Sequence, residues 1–247
     1  MTAYSIFFLV LGAAAGGFIN GLAGTGTALF ALGFYLVVLD PVRAVAIVAF
    51  MSVLAGLQGL WIVRSDIFAQ PRRLLRFLLP GLVGVPLGLL LLDVIDAGML
   101  RIAIATLLII YGGYFSFRTS LPSFSRRTPV LDSAIGFTGG VLGGAASVSG
   151  AIPAMWLSIR PWTKSETRAV LQPYNVAILS TTVCLLFLKG AYDRTALNAL
   201  LVTIPSGLIA AQIGIMVFKS LSDTGFRRLL IVLTLLMGVG VMASEVF

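Results

Sequence analysis

The amino-acid sequence predicts an all-α polytopic membrane protein of about eight to ten transmembrane or broken, re-entrant helices, arranged as two inverted repeats. Three observations lead there. Of its 247 residues, 59% are hydrophobic and only 11% charged, against roughly 25% charged in a soluble domain. The apolar residues form long uncharged runs, at 1–39, 44–63, 77–92, 102–117, 133–159, 169–188, 195–218 and 229–244. These runs are continuous rather than alternating, which selects helices over strands, and in lipid only helices or a closed barrel satisfy the backbone. A cytosolic enzyme, a nucleic-acid-binding module and a disordered chain are excluded by the same composition.

Taken in order, the first run is too long for a signal peptide and has no Lys or Arg before Arg43, so residues 1–39 are read as part of the membrane domain. The 16-residue runs are short for a span, but Arg76, Arg101 and Arg228 stand at their ends and can snorkel to the interface. The gap 118–132 holds Arg118, Pro122, Arg126, Arg127 and Pro129 and marks a midpoint. A single membrane transport domain, 1–247, is expected, with repeat one at 1–120, a linker at 121–132 and repeat two at 133–247.

The repeat is carried by co-linear matches. Gly16-Gly17 aligns with Gly139-Gly140, Gly21 with Gly144, Arg43-Ala44-Val45 with Arg168-Ala169-Val170, Pro80 with Pro205, and Gly98 and Arg101 with Gly225 and Arg228. Such internal repeats recur in transporters. The 17 basic residues against 9 acidic ones then set orientation. If 133–159 enters and leaves on one side, loops 64–76, 118–132, 160–168 and 219–228 carry 13 Lys/Arg and the opposite loops 4. The positive-inside bias prefers this arrangement, with the first group cytoplasmic. As one straight helix, 133–159 would be about 40 Å long, too long for one span and too short for two. Both it and 4–39 are therefore expected to be two short or broken helices joined by irregular backbone at membrane depth.

The breaks fall in two glycine-rich segments. One runs from Gly16 to Thr27 and contains Asn20, Gly24, Thr25 and Gly26; the other runs from Gly139 to Gly150 and contains Ser147 and Ser149. Glycine lets backbone approach a ligand, a half-helix starting there directs its positive end at an anion, and Asn20, Thr25, Thr27, Ser147 and Ser149 add neutral donors. The competing reading is close helix packing through small residues, which Gly17/Gly21 and Gly140/Gly144 also fit.

The two segments, with Gly12 through Gly33 in one half and Gly136-Phe137-Thr138-Gly139-Gly140 through Pro153 in the other, resemble the sulfite exporter TauE/SafE family over essentially the whole chain. Where the family carries a glycine triplet, this chain has Gly24-Thr25-Gly26 and Ser147-Val148-Ser149. The resemblance implies a multi-pass transporter of the bacterial cytoplasmic membrane for small sulfur-containing or organic anions such as sulfite, sulfonates or sulfoacetate. Composition and spacing by themselves say only "transporter, for an anion". A passive anion channel and a non-transporting assembly subunit remain as alternatives.

The substrate-lining residues expected are Asn20, Gly24, Thr25, Gly26, Thr27, Ser147, Ser149 and Gly150, with Gln172, Tyr174 and Asn175 from the most polar cluster inside a span, and Arg43 and Arg168 as repeat-related cations. Asp40-Pro41 reads as an N-cap with proline at the first helical position, and Thr163 with Glu166 as a capping box. With Ser165 placed opposite Asp40, each arginine falls in the first turn of its helix, where the dipole disfavours a cation. An anion, an acidic neighbour or a lipid phosphate would offset that cost. Gln58 and Gln212 are weaker singles; Trp61, Trp156 and Trp162 read as interface anchors or packing. Cys184 reads as a buried thiol. With no histidine and no carboxylate deep in any run, neither an enzyme nor a resident metal or cofactor is expected. Partners expected are the small anion and membrane lipid, not nucleic acid; a homodimer is left open.

Overall fold

The computed structural model describes residues 2–91, 97–117 and 124–246. Expected features at 92–96 and 118–123, including Arg118 and Pro122, lie outside the described residues. The elements are α1 (Ala3–Ala23), α2 (Thr27–Leu36), α3 (Pro41–Ile62), α4 (Arg64–Ala69), α5 (Pro71–Leu91), α6 (Ala97–Ser116), α7 (Pro129–Ala146), α8 (Ala151–Ser158), α9 (Lys164–Leu188), α10 (Arg194–Ser220) and α11 (Asp223–Val246), with no strand among the described residues. Five helices in that set are long and apolar enough to cross a membrane: α1, α3, α5, α9 and α10.

Each glycine-rich segment folds back on itself. Gly16 of α1 faces Thr27 and Ala31 of α2, and Gly12 faces Tyr35, so α2 returns along α1. Likewise Gly139 and Gly143 of α7 face Ser149 and Pro153, and Trp156 Nε1 on α8 donates to Asp132 Oδ1 near the start of α7 (2.8 Å). Phe124 N donates to Ile159 O at 2.9 Å, which ties the chain entering this hairpin to the chain leaving it. The first segment differs from expectation in one respect. Its leading helix α1 spans 21 residues, long enough to cross alone, so only α2 is short.

Helix packing explains most of the glycines. A Cβ on Gly17 or Gly21 would strike backbone at Gly207 or Ala211 of α10, and one on Gly140 or Gly144 would strike Gly81 or Val85 of α5. Without a hydrophobic drive between helices in lipid, such close backbone approach supplies the dispersion contact. α1 thus packs on α10, α7 on α5, α3 on α9 and α6 on α11.

Two boundaries are corrected. Helix α5 begins at Pro71 rather than after Arg76, and α7 begins at Pro129, so helix extends into residues whose charge had marked them as loop or linker. Charge marks where side chains reach an interface, not where backbone hydrogen bonding stops. Cys184 is also corrected: it is exposed, on a face of α9 shared with Phe187 and Leu188. A helix apolar all round gives no hydropathy contrast between its packed face and its outer face.

The packing account predicts that Gly140→Leu, which must displace backbone of α5, lowers thermal stability by roughly 1–3 kcal/mol or more. Gly33→Ala, where a Cβ meets nothing within 4 Å, should leave stability unchanged or raise it by about 0.5–1 kcal/mol. Thermal unfolding of the two purified variants in detergent measures both.

Candidate functional site

Each hairpin breaks its helix with left-handed backbone. Gly24 ends α1 at φ 82° and Gly26 opens α2 at φ 97°, positions that suit glycine. Ser147 ends α7 at φ 56° and is the one non-glycine residue with positive φ among the described residues, a strain of order 1–3 kcal/mol. Gly26 and Gly150 are the N-caps of α2 and α8, neither with a side-chain capping bond. The starts of these helices carry the positive ends of two helix dipoles.

The two breaks meet. A Cβ on Gly150 would collide with Thr25, so the backbone of one break lies against the side chain of the other. Asn175 on α9 joins them: its Oδ1 accepts from Ser149 Oγ (2.5 Å) and Thr25 Oγ1 (3.4 Å). One turn earlier, Gln172 Nε2 donates to Gly56 O (3.0 Å) and Asn20 Oδ1 (3.4 Å), while Asn20 Nδ2 donates to Thr27 Oγ1 (2.8 Å) and Ser52 O (3.3 Å). Gly24 packs on Gln172 and on the Arg168 side chain. Arg168, Gln172 and Asn175 stand at helical spacing i, i+4, i+7, so one face of α9 presents all three to both breaks.

Arg168 is the charged member. It is fully buried. Its Nε donates to Gln172 Oε1 (2.9 Å) and its guanidinium carbon lies 4.3 Å from the centroid of Phe218. Lys164 Nζ holds that ring in place by donating to the carbonyls of Phe218 (3.2 Å), Lys219 (3.0 Å) and Leu221 at the end of α10. Both terminal guanidinium nitrogens of Arg168 lack any hydrogen-bond partner, as do Asn175 Nδ2, Ser147 Oγ and Thr167 Oγ1, all buried. No residue among Asn20, Thr25, Thr27, Ser147, Ser149, Arg168, Gln172 and Asn175 is more than 3% exposed. The cluster is a sealed set of polar side chains with one positive charge and no carboxylate paired to it among the described residues.

The expected first-turn position of Arg168 is corrected. The N-cap of α9 is Thr163, with its capping box to Glu166, not Ser165, and this puts Arg168 two residues, about half a turn, deeper than the repeat alignment indicated. There its side chain is fully buried in the bundle. Arg43, its repeat partner, sits three residues after the N-cap Asp40. It is paired with Asp40 and with Asp193 at the start of α10 (2.5 Å to Asp193), and no contact joins it to the cluster. Tyr174 also points elsewhere, its hydroxyl donating to Gly136 O on α7 (2.6 Å). Trp156 is buried against Asp132, whereas Trp61 is 73% exposed beneath Arg64. Sequence reasoning missed Thr167 and Phe218. Thr167 could have been found as the neighbour of Arg168; Phe218, fifty residues on in an apolar run, leaves no local signal.

In comparison with known proteins, a family model described as "Sulfite exporter TauE/SafE" matches residues 8–241. No curated protein and no solved structure matches.

The Arg43 ion pairs make a pH prediction. The Arg43 side chain, followed by the Ala196 backbone N–H, lowers the Asp193 carboxyl to about 2, and the backbone N–H of Arg43, with its side chain, lowers that of Asp40. A depressed folded-state value means stability is present above the ordinary carboxyl range and is lost as pH falls toward 2. Asp193→Asn should therefore lose less stability than wild type between neutral pH and pH 2, and the two melting curves should converge at the acid end.

Proposed function

The chain belongs to the sulfite exporter TauE/SafE family, and on that premise we propose that it is a secondary carrier which binds a small oxyanion against Arg168 and exposes it alternately to the two sides of the membrane. Membership implies an integral membrane transporter of sulfite or related anions rather than an enzyme. Sulfite, sulfonates and sulfoacetate are the substrates the reading favours, and the bacterial inner membrane its location.

The observation that carries the proposal is the buried guanidinium with two unpartnered nitrogens. An isolated buried charge costs several kcal/mol even after relaxation, and its usual remedy is a counter-charge. An oxyanion accepts the planar fork bidentately. Gly24 of the first break packs on the Arg168 side chain, and the N-termini of α2 and α8, without side-chain caps, add partial positive charge at the two breaks.

Two observations favour a carrier over a passive channel. The cluster is sealed, whereas a channel needs it connected to both faces at once. Reciprocal packing, α1 on α10 and α7 on α5, is what two inverted halves produce, with rocking about the shared α3–α9 contact as the motion. Strain at Ser147 marks a position where backbone can switch.

The test is counterflow of labelled sulfite in proteoliposomes, with methanesulfonate as competitor. Wild type should exchange with saturation. Arg168→Gln should abolish exchange while still inserting and eluting as a single species, and Arg168→Lys should restore part of it, since an ammonium lacks the fork. Undiminished exchange by Arg168→Gln contradicts the proposal, and flux without saturation or counterflow indicates a channel.

A further inference from the structure

A concavity of about 500 Å³ opens between the start of α5, the strap at 124–128 and the chain leaving α8. Its wall carries six arginines, Arg72, Arg73, Arg76, Arg126, Arg127 and Arg160, against one carboxylate, Asp132. That carboxylate is already committed. Asp132 Oδ1 accepts from Arg160 Nη2 (2.7 Å) and Trp156 Nε1 (2.8 Å), and Arg76 stands 4.0 Å from Oδ2. Arg73 is held by Glu166 at 2.7 Å and lies 4.5 Å over the Trp162 ring. Six guanidiniums against these two carboxylates leave four positive charges in excess. Arg72, Arg126 and Arg127 are exposed and pair with no carboxylate among the described residues.

The wall is built rather than incidental. Arg160 is 4% exposed, and its Nη1 donates to Arg126 O at 2.6 Å, which fixes the strap bearing Arg126 and Arg127 to the end of the α7–α8 hairpin. Its Nε is buried without a partner. Helices α5 and α7 both begin at this concavity, and the α7 N-cap Thr128 makes no capping bond, so two dipoles add to the positive field. A single oxyanion would leave most of the charge uncompensated, and the volume falls in the range of cavities for larger molecules.

We propose that this concavity is a second anion site, separate from Arg168, for a multiply charged phosphate-bearing ligand. Tetrahedral phosphate oxygens match the guanidinium forks of Arg72, Arg126 and Arg127 bidentately, and two or more phosphate charges balance the excess. Such a group arrives either on a soluble di- or polyphosphate or on an anionic lipid headgroup.

Thermal unfolding of the full chain tests it with both sources. Inorganic pyrophosphate, titrated onto protein in neutral detergent, should raise the apparent Tm. Its affinity should fall about tenfold or more in Arg126→Ala/Arg127→Ala, which keeps the Arg126 carbonyl bonded to Arg160, and likewise in Arg72→Ala. In a second arm the protein is placed in nanodiscs of phosphatidylcholine with or without cardiolipin, whose headgroup carries two phosphates. Stabilisation by cardiolipin that the variants lose, with no pyrophosphate response in detergent, assigns the site to a headgroup; the converse assigns it to a soluble phosphate. If neither probe separates wild type from the variants, or if the variants bind pyrophosphate as tightly as wild type, the proposal is overturned.

Discussion

A guanidinium buried in an apolar bundle with no carboxylate beside it among the described residues is costly, and the helix breaks are arranged around that residue. Arg168 is supported at one nitrogen by Gln172 and on one face by Phe218. These contacts orient it without neutralising it, and a cation–π contact offsets only about 0.5–2 kcal/mol. The remaining donor capacity is directed inward and has been left open. A protein selecting only for stability would exchange Arg168 for an apolar residue of similar volume.

The architecture follows from delivering two helix breaks to that charge. Irregular backbone within a membrane bundle must be covered by protein, and here each break covers the other. The close fit depends on glycine at Gly150, on the hydroxyls of Thr25 and Ser149, and on Asn175, whose single carbonyl accepts from both halves. Small residues along α1 and α7 let α10 and α5 approach to backbone contact, so the hairpins are anchored along their long arms while α2 and α8 stay short. Gln172 extends the same linkage to α3 through Gly56 O. One face of α9 thus bonds to α3 and α1 through Gln172 and to both breaks through Asn175. The side-chain carbonyls of Asn20, Gln172 and Asn175 all accept, while the terminal nitrogens of Arg168 and Asn175 Nδ2 have no partner, a balance that suits an anion.

Much of this was legible in the sequence. The helical class followed from uncharged run length, the two breaks from glycine-rich segments inside runs of the wrong length, and Gln172 and Asn175 from polarity within a span. The spacing of Gly17/Gly21 and Gly140/Gly144 marked them for helix packing, which they perform, while Gly24, Gly26 and Gly150 shape the breaks; the helices they pack against, α10 and α5, were not legible, because spacing does not say which neighbour a helix face meets. The divergence of Arg43 and Arg168 was hidden for a different reason. Their local sequences match, yet Asp193 supplies a counter-charge to Arg43 from 150 residues away, while Arg168 is fully buried against Gln172 and Phe218. Tertiary partners distant in sequence, rather than the Arg-Ala-Val match, decide which arginine is paired. The paired carboxylate Asp132 and buried Arg160 were likewise masked, since charge in a gap between apolar runs reads as solvated loop.

The central claim is that Arg168 is retained for a ligand and not for folding. Thermal unfolding of Arg168→Met, compared with wild type with and without sulfite, separates the two. Removing a buried unpaired charge should leave the anion-free protein as stable as wild type or more so, and should erase the rise in apparent Tm that sulfite gives wild type. An Arg168→Met protein that is strongly destabilised without anion, yet still stabilised by sulfite to the wild-type extent, would contradict the account.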